Sequence, residues 1–186
     1  RLLSGDDIYY KVLEVLKEEP ADWDFLAPDG SLDKTVRRTA PHALFLDMIR
    51  SPFNLGSIFR SAESFKIDHI YIREGSAALD SPRCLRTARG AIASVSHSIV
   101  KLEDFHPGRP LFALELGGET IESFDFPAEG IAVIGSEETG VSPELLELCN
   151  KSLGRVSIEQ YGAKGSINVS VASGILMHAW ASSCFG

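Results

Sequence analysis

Metal-binding and disulfide chemistry have little to work with in this chain. Its three cysteines, Cys84, Cys149 and Cys184, are an odd number without C-x-x-C spacing, which excludes a disulfide framework and a zinc ribbon. The five histidines, His42, His69, His97, His106 and His178, never pair at i+3 or i+4, so no metal site is expected. No apolar run approaches the roughly 18–20 residues that cross a bilayer, and the opening residues lack the basic-then-apolar order of a signal peptide. A soluble, cytoplasmic protein with no membrane association is expected. Basic residues are also short, 18 against 26 acidic ones. That balance excludes a general nucleic-acid coat, because such affinity comes from cations neutralising phosphates, but it leaves a local basic patch open. Internal repeats and low-complexity tracts are absent. The chain opens on Arg1 rather than methionine, and an upstream segment is expected.

What is present is a 186-residue chain, 44% hydrophobic, long enough for one domain with a substantial core. The first 20 residues predict a helix, with Ser4 as cap, Asp7 three positions later, an apolar stripe of Ile8, Tyr9, Val12, Leu13 and Leu16, and Pro20 after its end. Ala21 to Pro41, rich in Asp, Pro and Gly, reads as an arm, so the division is residues 1–40 and then a domain over 41–186. From Ala43 short apolar runs alternate with helical ones. The runs are ALFLDMI (43–49), HIYI (69–72), SHSIVKL (96–102), LFALEL (111–116), IAVIG (131–135) and GRVSI (154–158). Helices are predicted over 53–65, 81–89, from Pro143, and over about 168–181. This alternation predicts an α/β fold, a mostly parallel sheet with helices on both faces.

Open parallel sheets bind ligands beyond the carboxyl ends of their strands, and three small-residue turns fall there: before the helix at 53, at GSEETG (135–140) and at EQYGAKGS (159–166). GSEETG has a phosphate-loop frame, but Val141 stands where such a loop needs its lysine. No G-x-G-x-x-G follows the first strand, so a dinucleotide site is not supported. Glu137 and Glu138 instead suit a positively charged or hydroxyl-bearing ligand. In the helix at 53–65 the stripe Leu55, Ile58, Phe59, Ala62 and Phe65 is a buried face. The opposite face carries Gly56, Ser57, Ser61 and Ser64 around one long cation, Arg60. Side chains lean toward a helix N-terminus, so Arg60 is expected over Gly56 and Ser57, with an open floor for a nucleotide and free N–H groups suited to phosphate.

NLGSIFRSA, IAVIGSEETGVS and GSINVSVASGI, in this order, resemble the three motifs of the SpoU (TrmH-like) branch of the SPOUT superfamily. These are RNA ribose 2′-O-methyltransferases that use S-adenosylmethionine. The resemblance covers about residues 41–184 and implies a C-terminal trefoil knot, the methyl donor bound in it, and a homodimer completing the site. It implies catalytic roles for Asn54, Arg60, Glu137, Ser166 and Asn168, and a donor pocket of Gly135, Ser136, Gly140, Ile158, Ser166, Ile167 and Val169. One departure stands out: where many relatives have Ile-Pro-Met, this chain has Ile158, Glu159, Gln160, which removes a conformational lock.

A guanidinium stays protonated near neutral pH, so Arg60 is read as holding phosphate and stabilising charge at the ribose oxygen, not as a base. Arg83, Arg86 and Arg89 either follow an RNA backbone or form a solvated helix face, and Arg37 and Arg38 are further candidates for RNA contact. Ser166 and Asn168 also suit an N-cap of the last helix. That helix has an apolar stripe of Val169, Ala172, Ile175, Leu176 and Ala179. Its slim face of Ser170, Ser173, Gly174 and Ser182 fits a two-fold dimer contact or packing within the chain. The substrate is expected to be tRNA or rRNA. The competing readings are a base-nitrogen SPOUT methyltransferase and an RNA-binding relative without catalysis.

Overall fold

Ala40–Leu46 forms β1, in which every residue except Pro41 is buried. A strand enclosed on both faces needs neighbours on both sides and a layer above and below. The computed structural model, which describes Lys11, Val12, Val15, Phe25 and residues 27–185, supplies all four. β2 (Ile67–Arg73) and β5 (Gly130–Ile134) flank β1, β3 (Ser96–Val100) and β4 (Leu111–Thr120) lie outside them, and β6 (Arg155–Ser157) closes one edge. The order is β3-β2-β1-β5-β4-β6 and every pairing is parallel. The mostly parallel α/β sheet read from the sequence is thus the observed fold, and six of six strand runs are found.

The period-two geometry of strands sends alternate residues to opposite faces. Leu44, Leu46, Ala132 and Ile134 enter one core, against α1 (Pro52–Ser64), α2 (Pro82–Ala88), α3 (Ala91–Ser94) and α5 (Val169–Phe185). Ala43, Phe45, Ile131 and Val133 enter the other, against Leu145 and Cys149 of α4 (Pro143–Asn150) and against Phe105. The α1 stripe is as patterned: Leu55, Ile58, Phe59 and Ala62 are fully buried, and Phe65 packs beside them as the C-cap residue.

Three expectations change. In α5 the buried residues are Ser170, Ser173, Leu176, Met177 and Trp180, whereas Ile175 is 39% exposed. The serines can go inside because their hydroxyls are satisfied locally, Ser173 by the Val169 carbonyl at 2.7 Å and Ser170 by Asn168 Oδ1 at 2.7 Å. Part of the slim face therefore packs within the chain. Gly56 is buried too, and a Cβ there would strike the Cys84 carbonyl and lie 3.0 Å from the Thr87 Cβ, so its smallness serves the α1–α2 contact and provides no floor for a nucleotide. Arg37 turns inward, its side chain 10% exposed, donating to the Ile67 carbonyl and pairing with Glu63 at 3.9 Å.

The chain divides into two units, Arg1–Asp33 and Lys34–Gly186. In the first, Lys11, Val12 and Val15 are helical, and a turn at Ala27–Ser31 is fixed by the Asp29 carboxylate, which accepts the Ser31 N–H at 3.0 Å and its hydroxyl at 2.7 Å. The rest of the helix expected before Pro20 lies outside the described residues. Among the described residues no helix is long and apolar enough to cross a membrane.

Candidate active site

β1 and β5 are neighbours, yet β1 is followed on its far side by β2 and β5 by β4. Loops leaving such a switch point diverge and open a crevice at the carboxyl ends of the strands. A cavity of about 490 Å³ lies there. Its walls are the middle of β4 (Leu114, Glu115, Leu116), Ile134 at the end of β5 and the β5–α4 loop from Gly135 to Gly140, Ser157 at the end of β6 and the β6–α5 loop (Ile158, Gln160, Ser166, Ile167, Asn168), and Val169 and Ala172 of α5. All seven residues expected around the donor line it: Gly135, Ser136, Gly140, Ile158, Ser166, Ile167 and Val169.

The β5–α4 loop is a closed turn. Ser136 and Gly140 exchange backbone hydrogen bonds at 3.0 and 3.1 Å, and the Ser136 and Thr139 hydroxyls meet at 2.8 Å. Gly135 lies so close to the Gly140–Val141 peptide that a Cβ would overlap it. Gly140 has φ +68°, which favours glycine, and a Cβ there would meet the Glu115 carboxylate. Glu115 in turn accepts the Val141 N–H at 3.0 Å, bracing the turn from β4.

A polar chain then ties the three motif segments together. Glu137 accepts the Arg50 N–H at 2.9 Å, the Ser51 N–H at 3.0 Å and Asn54 Nδ2 at 2.8 Å. Asn54, only 5% exposed, accepts Asn168 Nδ2 on its own Oδ1 at 3.1 Å. Asn168 Oδ1 accepts the Ser170 and Val171 N–H groups at 2.9 and 3.3 Å, capping α5 as its residue type favours. Burial works against ionisation of Glu137, but the Arg50 N–H, the Asn54 amide and the Ser51 N–H outweigh it and hold the carboxyl below its ordinary range. Three segments far apart in sequence share one network at the cavity wall.

A profile of the SpoU rRNA Methylase family matches residues 41–178. The chain belongs to that family. An uncharacterised tRNA/rRNA methyltransferase of Synechocystis is 30% identical over 179 residues, 86% of this chain and 64% of that protein. The AdoMet-bound rRNA methyltransferase of Sinorhizobium meliloti has TM-score 0.71 at 22% identity, over 82% of this chain and 60% of that one. An RNA 2′-O ribose methyltransferase has TM-score 0.68 at 21% identity, over 89% and 61%. The two structural likenesses show the shared fold. The chain spans about half to two thirds of the length of curated relatives it matches.

Against this SpoU frame the remaining candidates divide. Ser166 is exposed on the cavity wall without a hydrogen-bond partner among the described residues. Arg60 is exposed on α1, outside the lining, and has no ion-pair partner among the described residues. It stands six residues beyond Asn54, about 9 Å along the helix axis. The α1 N-terminus is less free for phosphate than expected: Glu137 takes the Arg50 and Ser51 N–H groups, Ser51 Oγ accepts the Asn54 N–H at 3.4 Å and Pro52 has none, which leaves the Phe53 N–H beside a carboxylate. Arg83, Arg86 and Arg89 are exposed, on α2 and at its C-cap, and Arg83 lies 5.7 Å from the Phe53 ring centroid.

Sequence reasoning missed Glu115 and Asp47. Asp47, 1% exposed at the end of β1, pairs with Arg73 at 2.8 Å and accepts the Ser142 N–H at 2.7 Å, fixing the far end of the β5–α4 loop. An acid interrupting an otherwise apolar strand run was the available signal for both. Among the described residues no three His, Cys, Asp or Glu side chains are grouped to hold a metal ion.

Proposed function

We propose that this chain transfers a methyl group from S-adenosylmethionine to a ribose 2′-hydroxyl of tRNA or rRNA. The observation that carries this reading is the convergence of the three SpoU motif segments on one cavity, joined through Glu137, Asn54 and Asn168. The cavity suits the donor. Its volume of about 490 Å³ lies within the range of small-molecule sites. Glu115, Glu137 and Glu138 line it with no Lys or Arg, a wall that favours a net positive ligand.

When bound, S-adenosylmethionine supplies a sulfonium methyl whose transfer to the 2′-oxygen breaks the S–C bond, forms the O–C bond and leaves a neutral thioether. Because that leaving group needs no acid, the protein's work is positioning and charge stabilisation. Glu137, Asn54 and Asn168 hold the loops in register. Arg60 stabilises negative charge at the attacking oxygen, and the hydroxyl proton passes to solvent. Since Arg60 lies outside the cavity lining of its own chain, this role calls for a second copy. The groove between α1 and α5, about 460 Å³ and walled by Ser57, Ser61, Phe65, Val171, Gly174, Ile175 and His178, is where we seat it. Arg83, Arg86 and Arg89 would follow the RNA backbone, and the trefoil knot belongs to the same reading.

Calorimetry with S-adenosylmethionine tests the assignment. One donor should bind per chain, and Gly140→Val, which drives a branched side chain into the space of the Glu115 carboxylate, should abolish binding while far-UV circular dichroism is retained. A wild-type protein that takes up no donor would leave only the RNA-binding reading.

A further inference from the structure

An RNA substrate brings phosphates to the mouth of the cavity, and the usual place for one is already taken. Glu137 occupies the start of α1, accepting the Arg50 and Ser51 N–H groups at 2.9 and 3.0 Å. The cavity wall offers acids and no base. Arg60 and the α2 arginines lie outside the lining. Among the described residues, Arg50 is the only Lys or Arg side chain with an ion pair or hydrogen bond to a lining residue, its Nη1 lying 4.0 Å from Glu138 Oε2.

The two ends of Arg50 are held very differently. Its backbone is fixed at the switch point through the N–H bond to Glu137. Its side chain is 64% exposed and faces a Glu138 that is 73% exposed. An ion pair that long and that wet contributes little, so the guanidinium can change partners at small cost. A planar fork on a fixed root at the rim of a methyl-donor cavity fits one ligand chemistry, the oxygens of a phosphodiester, which it can grip with two parallel hydrogen bonds.

We propose that Arg50 binds the RNA phosphate beside the ribose that is methylated, and that Glu138 occupies the guanidinium in the free protein and releases it when RNA arrives. The proposal rests on the RNA-methyltransferase reading. It assigns the phosphate contact nearest the chemistry to the β1–α1 loop, ahead of the helix face that carries Arg60. It also gives Glu138 a role as a counter-charge that weakens RNA binding.

The experiment is fluorescence anisotropy with unfractionated tRNA and with total rRNA, at several salt concentrations, on wild type, Arg50→Ala, Arg50→Lys and Glu138→Gln. Donor affinity of wild type and the Arg50 variants is measured in parallel by calorimetry. Loss of one phosphate contact should weaken RNA binding roughly 5- to 10-fold in Arg50→Ala and reduce the salt slope by about one unit. Arg50→Lys should fall between Arg50→Ala and wild type. Glu138→Gln should bind RNA more tightly, by roughly 2- to 5-fold, as one carboxylate leaves the rim. Donor affinity of Arg50→Ala should match wild type. The proposal is overturned if Arg50→Ala keeps the wild-type affinity and slope, if it loses donor affinity in step with RNA affinity, or if Glu138→Gln binds RNA more weakly. Wild-type protein with no salt-dependent RNA affinity would overturn the RNA-methyltransferase reading as well, which separates the two failures.

Discussion

Replacing Glu137 by glutamine tests the network that joins the motifs. The carboxylate accepts three donors: Oε1 takes the Ser51 N–H at 3.0 Å and Asn54 Nδ2 at 2.8 Å, and Oε2 takes the Arg50 N–H at 2.9 Å. Glutamine keeps one oxygen, so the two bonds at Oε1 can survive without their charge, but its NH₂ would face the Arg50 N–H, donor against donor. Hydrogen bonds to a charged group contribute about 1.5–3 kcal/mol when sheltered, and this one is open to water, so a loss of about 1–2 kcal/mol is expected. For a chain of this size that is roughly 2–8 °C in Tm, read by differential scanning fluorimetry. The pH dependence carries the sign. The folded carboxyl is held below its ordinary value of 4.5, so its stabilisation is present above that value and is lost as the pH falls through the folded one. Wild type should therefore lose stability on acidification below about pH 4.5 more steeply than Glu137→Gln, and the two curves should converge. A variant with the wild-type Tm at neutral pH and the same acid limb would refute the reasoning, because the three bonds would then be ornamental.

Gly56→Ala should destabilise the fold by about 1–3 kcal/mol in urea titration, since the added methyl meets the Cys84 carbonyl between α1 and α2; unchanged stability would return Gly56 to the ligand side. His42 is fully buried, stacked on Trp180 at 4.0 Å, and burial pushes its pKa below 6.5 despite the bond to the Ala128 carbonyl. Its contribution is full above 6.5 and lost as the pH falls through the lower folded value, so His42→Phe should flatten the stability slope just below pH 6.5. Among the thiols, burial pushes Cys149 up to about 12 whereas Cys184 is only partly buried. Mass spectrometry after brief iodoacetamide treatment should therefore find Cys184 alkylated first and Cys149 last.

Local periodicity carried much of the fold in the bare sequence. The α1 stripe and the strand runs are readable because burial on one or two faces imposes a period of 3.6 or 2 on neighbouring residues. What a side chain meets across the sheet leaves no such trace. Gly56 reads as clearance for a ligand until α2 is seen against it. The α1 N-terminus reads as a phosphate site until Glu137, more than 80 residues onward, fills it. β4 runs on to Thr120, past the apolar run that announces it, because Gly118 lies against the Arg155 carbonyl of β6 and the register shifts between Leu114 and Glu119. The cavity wall was legible for a different reason: most of its residues sit in loops after strands, where sequence and topology coincide. Arg60 could be singled out as an isolated cation, but its distance from the cavity depends on where Asn54 is anchored, which only the tertiary structure reveals.

The most direct test of the whole account is digestion to nucleosides of RNA incubated with this protein and S-adenosylmethionine carrying a deuterated methyl, followed by mass spectrometry. The account predicts the label on the sugar fragment of a single 2′-O-methylnucleoside, and its loss in Arg60→Ala. Label on the base fragment, or a protein that binds donor and RNA yet transfers nothing, would contradict it.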